Sequence, residues 1–472
     1  MRYDVVVVGG GTAGCVLAAR LSEDPDRQVC LLEAGPDYGP LAEGGWPDEI
    51  LDARSLPSTN LWEAGGEDER SLGGRLVGGS SAVNACAVLE GSRADYDEWG
   101  EEWRHERFGP FLDLARTELR TARANTDEPG PFHRAFVEAA MAAGFPLLDH
   151  PNDPLQPVGV APYPANVVGG KRWNAALAYL DPARTRSNLV VEGETLVDRI
   201  VIERGRASSV VTADGRGFDA GTVILAAGAY FSPSILVRSG IGPKSELAQL
   251  DIPVAAALPV GDRLLDHYGT DVCWKPSIRL DSETAAHERE HALFQPHVVL
   301  KAASSRCEPG SWDLHMLTWL GNAESTGRYE AYALVFHMKP LSTGTVRVRS
   351  TDPREAPVVE RGYLSRDEDL TTLLDGIDVA RRLAATAPLR ELLAEEIHPG
   401  QTDPERYVRE TVRNYFHPVG TCALGEVVDS DCRVFGIEGL VVADASIMPT
   451  IPRANTNLTT AAIAARVAAG FD

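Results

Sequence analysis

What the chain lacks narrows it first. No uninterrupted apolar run in its 472 residues approaches the roughly 20 needed to cross a bilayer. Positive charge is short: 45 Lys and Arg against 68 Asp and Glu leave a net charge of −23, so phosphate backbones and anionic membranes are poor partners. Cysteine is sparse, with seven residues at no regular spacing. Cys15 and Cys30 fall inside the first expected helix and the second expected strand, as buried thiols rather than disulfide partners. The opening YDVVVVGG reads as a strand and turn rather than as a secretory signal. Internal repeats and low-complexity segments are missing too. What remains, 44% apolar and 24% charged, is the composition of a soluble globular chain with room for two or three domains. The expectation is a cytoplasmic protein with reduced cysteines and no nucleic-acid partner.

The pattern along the chain is α/β. A continuous apolar run, a glycine cluster, a helical segment over 12–22 and the run QVCLLEAG make a β-α-β unit whose strands, lacking alternation, are buried on both faces. GTVILAAGA at 221–229 is a further strand of that kind. Arg54 to Glu69 reads as a polar surface excursion, and 133–144 as an amphipathic helix ending at a glycine. Four segments, 293–301, 312–319, 331–338 and 344–349, predict a second, antiparallel sheet, followed by a helix over 367–384. The last 60 or so residues are expected to return to the first part, a division consistent with ordinary domain sizes.

GGGTAG at 9–14 places Gly9, Gly11 and Gly14 in the G-x-G-x-x-G pattern between a strand and a helix. The first glycine permits the tight turn, the second lets a pyrophosphate approach the backbone, and the third lets helix and strand pack closely. The helix N-terminus offers free N–H groups to the phosphates. Glu33 lies roughly 20 residues beyond the last glycine, where a carboxylate binds ribose hydroxyls. A dinucleotide is implied, NAD or FAD. HEREH at 287–291 matches H-E-x-x-H formally, but its charged middle and polar flanks read as a solvated segment, and no metal is expected. The stretch 73–99, GGRLVGGSSAVNACAVLEGSRADYDEW, clusters glycines and small hydroxyl residues among apolar ones, as in buried backbone packed against a flat or charged ligand.

These stretches together resemble the glucose–methanol–choline (GMC) family of FAD-dependent oxidoreductases. GGSSAVN is similar to the family's flavin-contacting signature and AGAYFSPSILVRSGIGP at 227–243 to its second signature. LPVGDRLLDH, HPVGTC, RVFGIEGLVVADASIMPTIP and NTNLTTAAIAARVA follow in the family's order. The resemblance implies a Rossmann-like FAD-binding domain over 1–270 with a substrate-side excursion near 106–188. It also implies a substrate domain on an antiparallel sheet flanked by helices over 271–412, and a returning segment over 413–472.

On this resemblance, Gly9, Gly11, Thr12, Ala13, Gly14, Glu33 and Ala34 hold the AMP side of FAD, and Val197 touches the adenine. Val77, Ser80, Asn84, Ala85 and Ala87 run along the pyrophosphate, ribityl chain and isoalloxazine, with Asp444 and Ala445 at the phosphate–ribityl region. Some relatives bind FAD covalently through a histidine in the GGSS loop; Val83 stands at the corresponding position here, so non-covalent FAD is expected. His417, in NYFHPVGTC, and Asn457 fall on the family's catalytic pair. A neutral imidazole suits removal of an alcohol proton near neutral pH, and an amide donor suits the oxygen left behind. A helix expected over 458–469 would turn the N–H groups of Leu458 and Thr459 to the flavin. The family's VRG is LEG here, with Glu90, and Arg263 replaces a common Asn; both are expected to alter pocket charge or loop packing. His315, His337, Trp312, Trp319 and Phe336 are candidates for the pocket wall. The implied activity is oxidation of an alcohol to an aldehyde or ketone, with O2 or a quinone- or cytochrome-type acceptor taking the electrons. The alternatives are a non-redox, FAD-containing lyase of the same fold and a flavin-binding protein without catalysis.

Overall fold

The computed structural model describes residues 2–63, 72–123, 129–149, 151–152, 157–291, 297–323 and 328–471. In chain order, β1 (Arg2–Val8), α1 (Thr12–Leu21) and β2 (Val29–Leu32) open the first sheet. Val5–Val8 and all of β2 are buried, as an unbroken apolar run requires when both sheet faces are covered. The chain then visits the second layer through α2 (Pro131–Ala142) and β3 (Gly159–Pro162), inside the expected excursion. It returns as β4 (Leu189–Glu192), β5 (Val197–Glu203), β6 (Arg206–Thr212), β7 (Gly217–Leu225) and α3 (Gly228–Arg238). The strand expected over 221–229 therefore ends at Leu225, where two alanines lead into a helix.

The second sheet takes β8 (Tyr268–Pro276), β9 (Val298–Ala302), β10 (Leu314–Ala323) and β11 (Arg328–His337), with α4 (Ile278–Glu290) after β8. Next come β12 (Thr345–Arg347) and β13 (Val358–Glu360), α5 (Asp367–Ala384), β14 (Leu393–His398), β15 (Arg413–Asn414), β16 (Leu440–Val442) and α6 (Thr456–Ala469). The 344–349 segment is a correction: β12 pairs with β13 in a separate two-stranded ribbon, not in the second sheet. HEREH forms the charged end of α4. Residues 64–69 and 293–296 of the expected segments lie outside the described residues.

The first sheet runs β4-β2-β1-β7-β6-β5, with β16 also on β7. Its β4, β2, β1, β7 and β16 pairings are parallel, and the β5–β6–β7 side is antiparallel. The second sheet runs β14-β8-β11-β10-β9-β3, with β15 on β8, and is antiparallel throughout. Leu370, Leu373, Ile377, Ala380 and Leu383 form the buried stripe of α5 against this sheet. At helical spacing, each leucine so covered contributes about 1.5–3 kcal/mol. That fixes β10 and β11 in place, with their other face turned toward the first sheet.

Candidate active site

A cavity of about 860 Å³ lies between the sheets. Its near wall is the carboxyl edge of the parallel strands: Gly9 after β1, Glu33 after β2, Ala226 and Ala227 after β7, Asp444 and Ala445 after β16. Open α/β sheets hold their ligands at that edge. Its far wall is Leu317 and Trp319 of β10 with Leu334 and Phe336 of β11.

At the β1 end the backbone does the shaping. Gly9 sits at φ +101°, and a Cβ on Gly14 would come within 1.8 Å of the Gly9 carbonyl oxygen, so α1 approaches β1 this closely only with glycine there. A Cβ on Gly11 meets nothing nearer than 3.9 Å and would project into the cavity. Glu33 accepts the Gly10 N–H at 2.7 Å and the Gly35 N–H at 2.9 Å, and burial pushes its carboxyl up to about 7. Asp444, also raised by burial, accepts from Gly228 N and Ser232 Oγ at 2.8 and 2.5 Å, which anchors the start of α3 beside β16.

Midway, two helices point their N-termini at the cavity. Neither α1, with Gly11 as N-cap, nor α6, with Asn455, has a side-chain cap, so their first N–H groups keep their partial positive charge for a ligand. Thr12 Oγ1 donates to Asn457 Oδ1 at 2.6 Å and ties the two ends together. Asn457 Nδ2 is left buried with no partner among the described residues.

At the far end sits His417, buried and bonded on both ring nitrogens. Its Nδ1 is 2.9 Å from Nδ1 of His267, whose Nε2 is 3.1 Å from the Met338 carbonyl oxygen. A carbonyl only accepts, so His267 carries its proton on Nε2. Burial pushes both imidazoles down, His417 to about 3, so both are neutral and His267 Nδ1 accepts from His417 Nδ1. His417 Nε2 is thereby left with its lone pair, 3.1 Å from Asn455 Nδ2. Tyr163 donates to Asn455 Oδ1 at 3.4 Å and turns the amide nitrogen toward the imidazole. The His417 main-chain N–H donates to Asp266 Oδ1 at 2.8 Å, and Arg361 holds Asp266 Oδ2 at 2.8 Å. Tyr415 stacks on Phe336 at 3.7 Å and sits 4.3 Å from the His417 ring. Phe416, at φ +63°, turns outward and stays 60% exposed at the cavity mouth. A bulky residue in that conformation costs about 1–3 kcal/mol, held here by the packing on either side.

The structure brings most of the predicted site residues to this cavity. Gly9, Gly11, Thr12, Ala13, Glu33, Ala34, Ser80, Asn84, Ala85, Ala87, Val197, Asp444, Ala445, His417 and Asn457 all line it. Val77 does not, being wholly buried in the core of the first sheet, and Gly14 acts beneath it. The expected partner of His417 is corrected: the amide that meets it is Asn455, because α6 starts at Thr456 rather than Leu458 and puts Asn455 at the helix mouth. The same shift moves Thr459 inside the helix, where its hydroxyl lies 3.1 Å from that of Tyr96. Leu458 is fully buried, and Thr456 and Thr460 line the cavity instead.

Among the wall candidates, Trp319 and Phe336 line the cavity. His337 turns away to Asp369 at 3.1 Å, while His315 and Trp312 sit in a layer behind Tyr163 and Tyr415. Glu90 pairs with Arg116 and Arg263 with Glu426, so both act on loop packing rather than pocket charge. His267, Asn455 and Tyr163 were not expected. The signals for the first two lay in the quoted motifs, in LLDH beside Asp266 and in the paired asparagines of NTN.

Residues 3–269 match the N-terminal part and residues 340–464 the C-terminal part of the GMC oxidoreductase family. The chain belongs to that family. It is 33% identical to the mitochondrial choline dehydrogenase of Homo sapiens, across 99% of this chain and 89% of that one. It is 34% identical to the oxygen-dependent choline dehydrogenase of Brucella canis, across 97% and 93%. Pyridoxine 4-oxidase from Mesorbium loti superposes with a TM-score of 0.86 at 26% identity, covering 100% of this chain and 99% of that one. Formate oxidase, at 0.85 and 23% over 99% and 97%, shares the fold. The protein is thus an FAD-dependent oxidoreductase of the alcohol dehydrogenase/oxidase type, and the lyase alternative draws no support from these relatives.

The cavity fits FAD. The open side of Gly11, the two uncapped helix ends and the orphaned Asn457 amide are the contacts an anionic, heteroatom-rich cofactor takes up. Val83 lines the cavity from the GGSS loop and offers no nucleophilic atom.

Proposed function

We propose that this GMC oxidoreductase oxidises an alcohol to an aldehyde or ketone with His417 as the base and Asn455 as the holder of the substrate oxygen. The observation that carries the reading is the unprotonated Nε2 of a neutral, buried His417, accepting at 3.1 Å from an amide nitrogen oriented by its own partner. An alcohol oxygen that takes the place of this bond, within reach of both atoms, donates its proton to Nε2 and accepts the N–H of Asn455. The bond from His417 Nδ1 to His267 holds the ring in the tautomer the step needs and shares the charge once Nε2 is protonated.

Burial makes His417 a weak base at rest. Its proton uptake becomes favourable only as negative charge grows on the alcohol oxygen, which couples the base to departure of hydride from the same carbon. FAD, when bound, supplies the hydride acceptor at its isoalloxazine N5. Asn457 and the N-terminus of α6 hold and polarise the cofactor from the protein side. FAD binds without a covalent link, and free flavin should leave the polypeptide on denaturation.

Anaerobic bleaching of the flavin by an alcohol tests the reading. His417→Ala should retain the bound-flavin spectrum and lose between about 100- and 10,000-fold in bleaching rate; near-normal bleaching removes His417 from the chemistry. Readmitting O2 and timing reoxidation then separates oxidation by O2 from use of a quinone- or cytochrome-type acceptor.

A further inference from the structure

The far wall is uniform in chemistry. Leu317 of β10 and Leu334 of β11 face each other directly in register. Trp319 and Phe336, each two residues further along its strand, share that face, since side chains alternate along a strand. Tyr163 and Tyr415 complete the enclosure beside His417. A leucine pair and rings at this spacing form a slot that gains most from a flat apolar body.

Phe336 and Tyr415 do not open as two walls of a cage for a cation. Phe336 and Tyr415 are parallel within 6° at 3.7 Å, so each covers a face of the other, and the Tyr415 ring is also against His417. A quaternary ammonium is recognised by free ring faces, and its burial needs a counter-charge. Among the described residues that line the cavity, the carboxylates are Glu33 and Asp444, both at the cofactor wall and both bonded to main-chain N–H groups. Beside Asn414 and Tyr415 the ionised lining residue is Arg413, a cation paired with Asp271 at 2.6 Å.

We infer that the substrate is an uncharged alcohol on a flat apolar body, of the aryl alcohol class, and not an alcohol bearing a quaternary ammonium. The inference rests on the alcohol-oxidation reading above and narrows it. It also sets this chain apart from relatives whose names specify choline, despite sequence identity along nearly its whole length.

The test is anaerobic reduction of the FAD-loaded enzyme by benzyl alcohol, cinnamyl alcohol, choline and glycerol, followed as the second-order bleaching rate. The two aryl alcohols should exceed choline by at least about 100-fold, the discrimination that a pocket mismatched in polarity supplies. Choline equal to or faster than both aryl alcohols overturns the inference and leaves alcohol oxidation standing. If none of the four bleaches a flavin that binds normally, the alcohol-oxidation reading falls and takes this inference with it. Leu334→Glu, checked for bound flavin, should compress the aryl-to-choline ratio at least tenfold. An unchanged ratio in the flavin-loaded variant overturns the placement of the substrate body against β11; if the variant binds no flavin, the wild-type panel alone decides.

Discussion

The two ends of the cavity are made of different material. At the β1 end the ligand surface is main chain: glycines, helix N-termini, and carboxylates bonded to backbone N–H groups within short stretches of sequence. At the His417 end it is side chains from distant segments, with His267 and Asn455 bonded to one imidazole and held in turn by the Met338 carbonyl and Tyr163. Backbone surfaces tolerate almost no added volume, whereas side-chain constellations tolerate volume and fail on the loss of a single polar atom. The first end should break all at once, and the second by degrees.

The largest effect belongs to the first end. Gly14→Val drives carbon into the Gly9 carbonyl, where even a Cβ would sit at 1.8 Å, so β1 and α1 must separate. The variant should purify without flavin or fail to fold, and a normal yellow holoprotein would show that the turn has more slack than its geometry allows. At the second end, the paired asparagines divide the work. Asn455→Ala should slow bleaching by about 100-fold with FAD retained, the loss typical of one oxyanion-holding donor. Asn457→Ala should weaken FAD retention and change the bleaching rate of the loaded enzyme less than tenfold. The reverse pattern would restore Asn457 as the partner of the base.

That division also marks what the sequence disclosed. The strand–glycine–helix start and the helix over 367–384 are written in the glycine spacing and in local periodicity, and they stand as read; that β16 of the last segment pairs with β7 of the first sheet is announced by no local pattern. The start of α6 was misplaced by two residues, because NTN offers two asparagines and N-cap preference favours either. What decides between them is tertiary: Asn455 occupies the N-cap but lends its side chain to His417 instead of to the helix. LLDH marks His267, but its role is tertiary for the same reason, since nothing near the motif says which distant ring its Nδ1 will meet. The ribbon at 344–349 alternates like any sheet strand, and only its register with 358–360 separates it from the second sheet.

His267 gives a smaller, sharper test. His267→Phe keeps ring volume but removes the acceptor of the His417 Nδ1 proton, freeing the tautomer with Nε2 protonated. The bleaching rate should fall about tenfold, and its pH profile should move. A merely structural histidine would cost thermal stability and leave the pH profile where it was. His267→Asn, which can still present an acceptor, should recover part of the rate.

The smallest effect separates the two halves by acid. Burial lowers the pKa of His417 and His315 to about 3 and of His297 to about 4, with His133 and His267 also well below their ordinary range. A histidine depressed in the folded state binds its proton more readily when unfolded, so its contribution is complete above about pH 6.5 and is lost as pH falls toward the folded value. Each such group removes about 1.4 kcal/mol per pH unit across that window. Glu33, raised to about 7, and Asp444, also raised by burial, work in the opposite sense at the cofactor end; Glu33 stabilises the fold as pH falls from 7 toward its unfolded value near 4.5. Net acid sensitivity should therefore arise in the substrate half. His315 isolates it, because both its ring nitrogens are buried without a hydrogen-bond partner among the described residues and His315 does not line the cavity. His315→Leu should leave stability at pH 7.5 unchanged or slightly higher and flatten the decline between pH 6.5 and 4, measured by urea unfolding of the holoprotein. Superimposable profiles would mean that the ring is solvated after all, and the acid-sensitive step would have to be sought among the other four histidines.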